Sequence, residues 1–477
     1  MRSRLFLAPL LAYPHGMSSV SFQLNGQTCA LDDAPPRQSL LRWLRAHHYT
    51  GTKEGCGDGD CGACTVVLVE ADGEHGSRFV AVNSCLLPIG TLAGREVLTV
   101  EALAEGEVLH PVQQAMVDQA GSQCGYCTPG IVMSLFAGLH EGELTDCTTE
   151  GNLCRCTGYR PIRDATTTLR GVVDWPDRFT ALQTASRPPL TSVQVGDFHN
   201  PATLAEAVAL KQAHPEAVFF AGGTDLGVNL SRHQTVAPTL IALDRIAALQ
   251  QIEVQADRVR IGAGVPLSRI ERELAGLFPA LDELLPWFAA RQVRNRATIG
   301  GNLGSASPIG DLPPVLLALD ATVECVGPQG RRELALDGFF LDYRKTARRP
   351  DEIIVAVTLP RRDDRVQGFY KVAKRQTDDI SIVAAAFVLV CDEAGVVHHA
   401  RLAYGGVAAT PIRATAVEVM LTGHRLDGPA VAAACAALEQ AFTPLSDHRA
   451  SAEYRRALCA SLFARFVREK FAVEATP

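Results

Sequence analysis

The chain has 477 residues, 47% of them hydrophobic and 20% charged, with a formal net charge of −7. That length exceeds one ordinary hydrophobic core and predicts about two to four domains. The acidic balance, without a basic run or stripe, argues against nucleic acid as a partner, and no stretch approaches the ~20 apolar residues of a membrane span.

Cysteine placement says more than cysteine number. Most of the fourteen cysteines fall between Cys29 and Cys156, and none occurs from Thr157 to Glu324. Closely spaced pairs favour metal or cluster ligation in a reducing compartment over disulfides, which predicts a cytoplasmic protein. At the N-terminus, Arg2 and Arg4 before LFLAPLLA imitate the charged and apolar regions of a secretory leader. The run is short and no clear cleavage site follows, so residues 1–16 are read as an extension and Met17 as the opening of the first domain.

In chain order, Val20, Phe22 and Leu24 alternate with polar residues, Asn25-Gly26 supplies a turn, and Cys29 and Leu31 continue on the return strand. This predicts a β-hairpin with Cys29 as a small buried residue. Leu40, Leu41 and Leu44 give a short helical stripe, followed by KEGCGDGDCGACTVV and the strand-like Thr65 to Val69. Cys56, Cys61 and Cys64 follow the C-x4-C-x2-C spacing by which a loop wraps a [2Fe–2S] cluster, with Cys85 as the fourth thiol. Gly55, Gly57, Gly59 and Gly62 predict positive φ and close approach of backbone N–H groups to sulfide.

From Val97 the apolar period lengthens to about 3.6 and predicts two helices. One spans His110 to Ala120 and the other begins at Pro129 with Ile131, Val132, Leu135, Phe136 and Leu139. At their ends stand QCGYC and NLCRC. Cys124, Cys127, Cys154 and Cys156 taken alone admit structural zinc as readily as iron–sulfur; beside the first loop they read as a second cluster. Cys147 is read as a non-ligand.

Residues Val172 to Asn200 lose periodicity and read as a linker. Thr203 with Glu206 forms a capping box for a helix running to Gln212. The strand-like AVFFA (residues 217–221) then enters Gly222-Gly223-Thr224-Asp225, and a second glycine turn, ATIGGN, precedes SPIGD ending at Asp311. Two such turns are consistent with a dinucleotide's diphosphate but do not form the G-x-G-x-x-G of a Rossmann site. The remainder opens β-rich, including Ser381 to Cys391, and closes with helices over residues 414–421, 430–442 and 452–471. Cys435 and Cys459 are read as core residues, and His398-His399 as a solvated loop pair.

Together, KEGCGDGDCGACTVV, GSQCGYCTPGIVMS, GNLCRCTGYRPI, FFAGGTDLG, ATIGGN, SPIGDL, YRKT and TDDI resemble the molybdenum hydroxylase (xanthine oxidase) family, in particular the iron–sulfur/FAD small subunit of its bacterial xanthine dehydrogenases. The resemblance implies a multidomain α+β fold. It comprises a β-grasp ferredoxin-like [2Fe–2S] domain (residues 17–97), a four-helix [2Fe–2S] domain (98–175), a linker (176–190), a vanillyl-alcohol-oxidase-type FAD domain (191–364) and a C-terminal α/β flavoprotein domain (365–477).

By position, it implies Cys56, Cys61, Cys64 and Cys85 as ligands of one cluster and Cys124, Cys127, Cys154 and Cys156 of the other. Gln123 would face a pterin. Phe219, Phe220, Ala221, Gly222, Gly223, Thr224, Asp225 and Leu226 would follow the diphosphate and adenine of FAD. Phe288 would lie against the isoalloxazine, with Thr298, Ile299, Gly300, Gly301, Asn302, Asp311, Ile354 and Lys371 completing the site. Tyr343, Arg344 and Asp378 are candidates for the NAD+ side of the flavin, with ordinary support of the fold as the alternative.

The chain ends where single-chain relatives continue, so the expected partner is a molybdopterin-binding large subunit, in a heterodimer paired into a heterotetramer. Electrons from xanthine or hypoxanthine hydroxylation there would pass through the helical-domain cluster, the ferredoxin-like cluster and FAD to NAD+. The same role for an aldehyde or N-heterocycle hydroxylase is one alternative, and a zinc-stabilised nucleotide-binding interaction module is another.

Overall fold

The computed structural model describes residues 20–72, 76–172, 178–234, 237–375 and 377–475. The extension at residues 1–16 lies outside the described residues.

The predicted hairpin forms from Ser21–Leu24 and Gln27–Ala30, with Asn25 and Gly26 at φ of +54° and +80°, as a two-residue primed turn requires. Ser21–Leu24 also pairs in parallel with Glu96–Leu98, which pairs antiparallel with Thr65–Ala71 and thence with Ser77–Asn83. One helix, Leu40–Ala46, capped by Ser39, buries Leu40, Leu41, Trp43 and Leu44. A sheet folded about one helix is the β-grasp. Cys29 corrects its expectation: it lies on the edge strand and is only half-buried.

The helical part holds Pro111–Asp118, Thr128–His140 and Arg160–Arg170. His110 caps the first helix in a box with Gln113, and Pro129 sits in the first turn of the second. The third has no strong apolar signature because it buries only Ile162, Ala165, Thr166 and Leu169. A further short helix, Thr180–Thr184, lies inside the stretch read as a linker. That stretch is anchored: Gln183 Nε2 donates to the His140 carbonyl at 2.7 Å, and Arg187 pairs with the buried Glu96 at 2.5 Å.

Two sheets build the next part. Val193–Val195, Phe198–Asn200, Leu240–Ala242 and Val218–Phe220 form one sheet, with parallel pairings to the Leu240–Ala242 strand. Ile252–Val254, Arg258–Gly262, Ile353–Pro360, Thr322–Gly327 and Gly330–Ala335 form an antiparallel one. The Thr203–Glu206 box caps Leu204–Ala213. The last part is a four-stranded antiparallel sheet covered by Gly428–Gln440 and Ala452–Phe471, around a core of Phe387, Tyr404, Phe463 and Phe466. His398 and His399 lie in strand Val397–Gly405, not a loop, and stand 3.0 Å from Asp392 and 3.2 Å from Asp320. Among the described residues no helix is long and apolar enough to cross a membrane.

Candidate functional site

Gly57, Gly59 and Gly62 hold φ of +74°, +92° and +64°, a conformation side chains resist. Gly55 differs from expectation. Its φ is not positive, and its need for hydrogen is steric, since a Cβ there would lie 2.6 Å from Cys61 Sγ. The loop brings its thiols together in two pairs. The neighbouring Cys61 lowers Cys56 to about 5 and Cys56 in turn pushes Cys61 up; the neighbouring Cys85 lowers Cys64, and Cys64 raises Cys85. Backbone N–H groups of Cys56 and Asp58 donate to the sulfurs of Cys61 and Cys56, each at 3.3 Å.

The second set repeats the plan. Cys124 has Cys156 as its neighbour and Cys127 has Cys154. Burial and the Cys154 side chain push Cys127 up to about 12, while the Cys156 thiol is raised by the nearby Cys124. Cys127 and Cys154 are buried, whereas Cys124, Cys156 and the adjacent Gln123 are exposed. Cys147 is half-buried, and the side chains that act on it are Glu150, Arg294 and Arg291 rather than either thiol set.

Two thiol pairs per set fit a two-iron centre, in which each iron takes two thiolates and shares bridging sulfides. Four thiols in each set, with N–H groups aimed at sulfur in the first, are a donor set that fits a [2Fe–2S] cluster.

Strand Val218–Phe220 delivers Phe219 and the buried Phe220 to the first glycine turn, Ala221 to Asp225, and Leu226 opens helix Leu226–Ser231. A Cβ at Gly227 would lie 2.6 Å from the Leu86 carbonyl, and one at Gly223 (φ +82°) 3.1 Å from it. Leu86 directly follows Cys85, so these glycines let the turn rest on the backbone of the first thiol loop. At the far end of that helix Arg232 pairs with Asp58 through bonds of 2.5 and 3.0 Å. The gap left beside Leu86, Gly222, Thr224 and Gln292 is about 10 Å³, room for one water.

The second turn packs on the first, since a Cβ at Gly222 would fall 1.6 Å from the Arg296 carbonyl. Thr298 caps helix Ile299–Ser305, its Oγ1 accepting from Gly301 N–H at 3.0 Å. Ile299 and Gly300 are buried and Gly301 is exposed. Asn302 Oδ1 is buried without a partner, so the segment has an acceptor to spare that a bound ligand would satisfy. Ile354, on strand Ile353–Pro360, touches the same helix at Gly304. Lys371 Nζ donates to Asp311 Oδ2 at 2.8 Å and to the Trp287 carbonyl at 2.9 Å, beside the half-buried Phe288.

The three candidates for the NAD+ side lie on two parts of the chain, Tyr343 and Arg344 on one turn and Asp378 on another. Tyr343 is 58% exposed at the tip of a hairpin, and Arg344 (φ +53°) reaches Asp225 at 4.0 Å. Asp378 (φ +51°) belongs to the C-terminal part, where burial, then the charge of Asp60, raises it to about 6. Sequence reasoning missed Ser381, whose Oγ donates to Asp311 Oδ1 at 2.5 Å. It also missed the fully buried Arg294, which holds the Phe288 carbonyl at 2.9 Å and Glu150 at 2.5 Å. A lone serine or arginine carries no spacing signal.

Two sets of paired thiols joined to a glycine-turn α+β domain define an iron–sulfur flavoprotein. Comparison with known proteins gives this a family. Residues 22–89 match a 2Fe-2S iron-sulfur cluster binding domain and 99–167 a [2Fe-2S] binding domain. Residues 192–362 match the FAD binding domain in molybdopterin dehydrogenase, and 368–470 the CO dehydrogenase flavoprotein C-terminal domain. The chain is 31% identical to a xanthine dehydrogenase of Emericella nidulans over 94% of its own length and 38% of that protein's, and 33% identical to one of Drosophila subobscura over 86% and 36%. It thus spans less than half the length of these relatives. Among solved structures, a chain of the carbon monoxide dehydrogenase of Hydrogenophaga pseudoflava superposes with a TM-score of 0.55 at 31% identity, covering 58% of this chain and 97% of that one. The chain belongs to the molybdenum hydroxylase family, as its iron–sulfur and FAD portion, and is an oxidoreductase electron-transfer module.

Proposed function

We propose that the chain is the iron–sulfur/FAD subunit of a xanthine dehydrogenase, working with a separate molybdopterin-binding subunit in a heterodimer that pairs into a heterotetramer, and delivering electrons to NAD+. The observation that carries this reading is the match to proteins called xanthine dehydrogenase across 94% of the chain, through all four domains in order. When bound, iron–sulfur clusters supply one-electron transfer and a flavin supplies the two-electron step that NAD+ needs.

The residues divide the work. Each thiol set holds one cluster, and N–H groups aimed at sulfur adjust its potential. The two glycine turns, with Asn302, hold the dinucleotide. Lys371, fixed by Asp311 and the Trp287 carbonyl, sets the charge beside Phe288. The partner subunit docks on the helical part, which exposes Val108, Tyr126, Leu153 and Tyr159 as well as Cys124 and Cys156.

A second reading, service to a hydroxylase of another substrate such as an aldehyde or N-heterocycle, is favoured by the solved neighbours. These include carbon monoxide dehydrogenase and quinoline 2-oxidoreductase from Pseudomonas putida, the latter at 25% identity and a TM-score of 0.54. The test is the co-purified complex. The reading requires about four iron and one FAD per chain, and faster NAD+ reduction with xanthine than with aldehydes or quinoline. Turnover with an N-heterocycle alone would establish the second reading, and peroxide as sole product would end the NAD+ assignment.

A further inference from the structure

At the point where the two thiol-bearing parts and the flavin domain meet, the protein buries a cluster of neutral polar side chains. Gln292, from the short helix Arg291–Arg294, is 2% exposed, as are Thr65 and Ser134, while Asn152 is 1% exposed. Gln292 Nε2 lies 3.0 Å from Ser134 Oγ, 3.1 Å from Asn152 Oδ1 and 3.4 Å from Thr65 Oγ1. Ser134 Oγ donates to Asn152 Oδ1 at 2.7 Å, and Asn152 Nδ2 donates to the Gly62 carbonyl at 2.9 Å. Gly62 lies between Cys61 and Cys64, and Asn152 is two residues before Cys154.

Backbones close on this cluster from all sides. A Cβ at Gly62 would fall 2.1 Å from the Gly151 carbonyl, one at Gly130 2.2 Å from the Gly62 carbonyl, and one at Gly151 2.1 Å from Gln292 Oε1. Gln292 Oε1 itself accepts no hydrogen bond. The flavin domain has thus placed a buried donor at a spot where both thiol-bearing parts present acceptors. A packed apolar side chain of this volume would avoid the desolvation that an unpartnered amide oxygen suffers. Two residues on, Arg294 ties the same helix to Glu150 and to the Phe288 carbonyl.

We propose that Gln292 is a positioning residue: its side-chain amide fixes the joined loops carrying Cys61 and Cys154 against the flavin domain, and so sets the distance from the iron–sulfur centres to the flavin. The inference rests on the assignment of both thiol sets as [2Fe–2S] ligands. Removing the donor leaves the two loops joined to each other, by Asn152 Nδ2 on the Gly62 carbonyl and by Leu153 N–H on the Cys61 carbonyl at 3.0 Å, and frees that joined pair to shift against the flavin domain.

The experiment uses the full complex with Gln292→Leu, and iron and flavin content are measured first. A wild-type chain without about four iron would refute the cluster assignment itself, whereas the positioning role is read from loaded protein. In Gln292→Leu at wild-type iron content, the magnetic splitting between the half-reduced flavin and the nearer reduced centre in low-temperature electron paramagnetic resonance should change, while the splitting between the two iron–sulfur centres, whose loops Asn152 keeps joined, is retained. Reduction of the flavin absorbance should slow about tenfold, the scale of a sub-ångström to ångström misplacement. Unchanged flavin splitting with a flavin rate within about twofold of wild type overturns the proposal. Should Gln292→Leu fail to load, Ser134→Ala decides: it removes one hydroxyl from inside a helix, a smaller change of the flavin splitting supports the lock, and no change in either readout overturns it.

Discussion

Cys64 with Cys85, and Cys127 with Cys154, form buried pairs, while Cys56 with Cys61 and Cys124 with Cys156 form the outward pairs of the same two sets. The plan is shared, and the surroundings are not. In the first loop a Cβ on Gly59 would meet Leu86 at 2.5 Å and one on Gly62 the Gly151 carbonyl at 2.1 Å. In the second, Gly125 would meet only Ser122 Oγ at 4.0 Å, and Gly158 nothing within 4 Å, although both also have positive φ. The first loop is enclosed at Gly59 and Gly62, whereas the second is packed at Gly130 and Gly151 but open at Gly125 and Gly158, beside Cys124 and Cys156. Enclosure suits an interior relay, and openness suits the end that meets another subunit.

The largest effect should come from the thiols. Cys61→Ala and Cys156→Ala should each lower iron from about four to about two per chain. With the molybdenum subunit and xanthine present, both should abolish flavin reduction, but only Cys61→Ala should leave the helical-domain centre reducible. Stopped-flow absorbance combined with paramagnetic resonance separates the two. Flavin bleaching at an undiminished rate in Cys61→Ala would remove the first loop from the route.

Next come the glycines. Gly158→Ala should cost only the strain of a left-handed residue, about 1–2 kcal/mol. Gly62→Ala adds a clash with backbone that cannot move alone, a further 1–3 kcal/mol or so. Urea unfolding of the loaded chain should place Gly62→Ala clearly below Gly158→Ala. Equal midpoints would mean that the first loop is no more enclosed than the second.

The contrast between local and assembled features also decides how much is legible in the amino-acid sequence. The thiols are legible because a cluster loop is local: four ligands, three of them within nine residues, and glycines between them. The hairpin at Asn25-Gly26 and the box at Thr203 are legible for the same reason. The candidate flavin site is legible only at its two turns, because Phe288, Asp311, Lys371 and Ser381 are brought together by the fold, and positions for the first three come from resemblance. Gln292 and Arg294 give no signal. Polar residues in a short helix read as surface, and only packing of three domains turns that face inward.

The smallest effects should separate the two loops by charge. Arg232 pairs with Asp58 at the edge of the first loop, and its side chain is 56% exposed. Arg155, between Cys154 and Cys156, is exposed in the second. An exposed pair adds little to stability, so Arg232→Glu should leave unfolding and subunit association unchanged and slow flavin reduction by no more than about twofold. The glycine contacts with Leu86 still hold that junction. Arg155→Glu should do the opposite, leaving flavin reduction by dithionite untouched while slowing association with the molybdenum subunit several-fold at low salt. That slowing should fade as the Debye length shrinks toward ~3 Å near 1 M salt, as a rim charge predicts. If Arg232→Glu instead altered association and Arg155→Glu did not, the enclosed loop would be the one facing the partner, and the order of the two centres would be reversed.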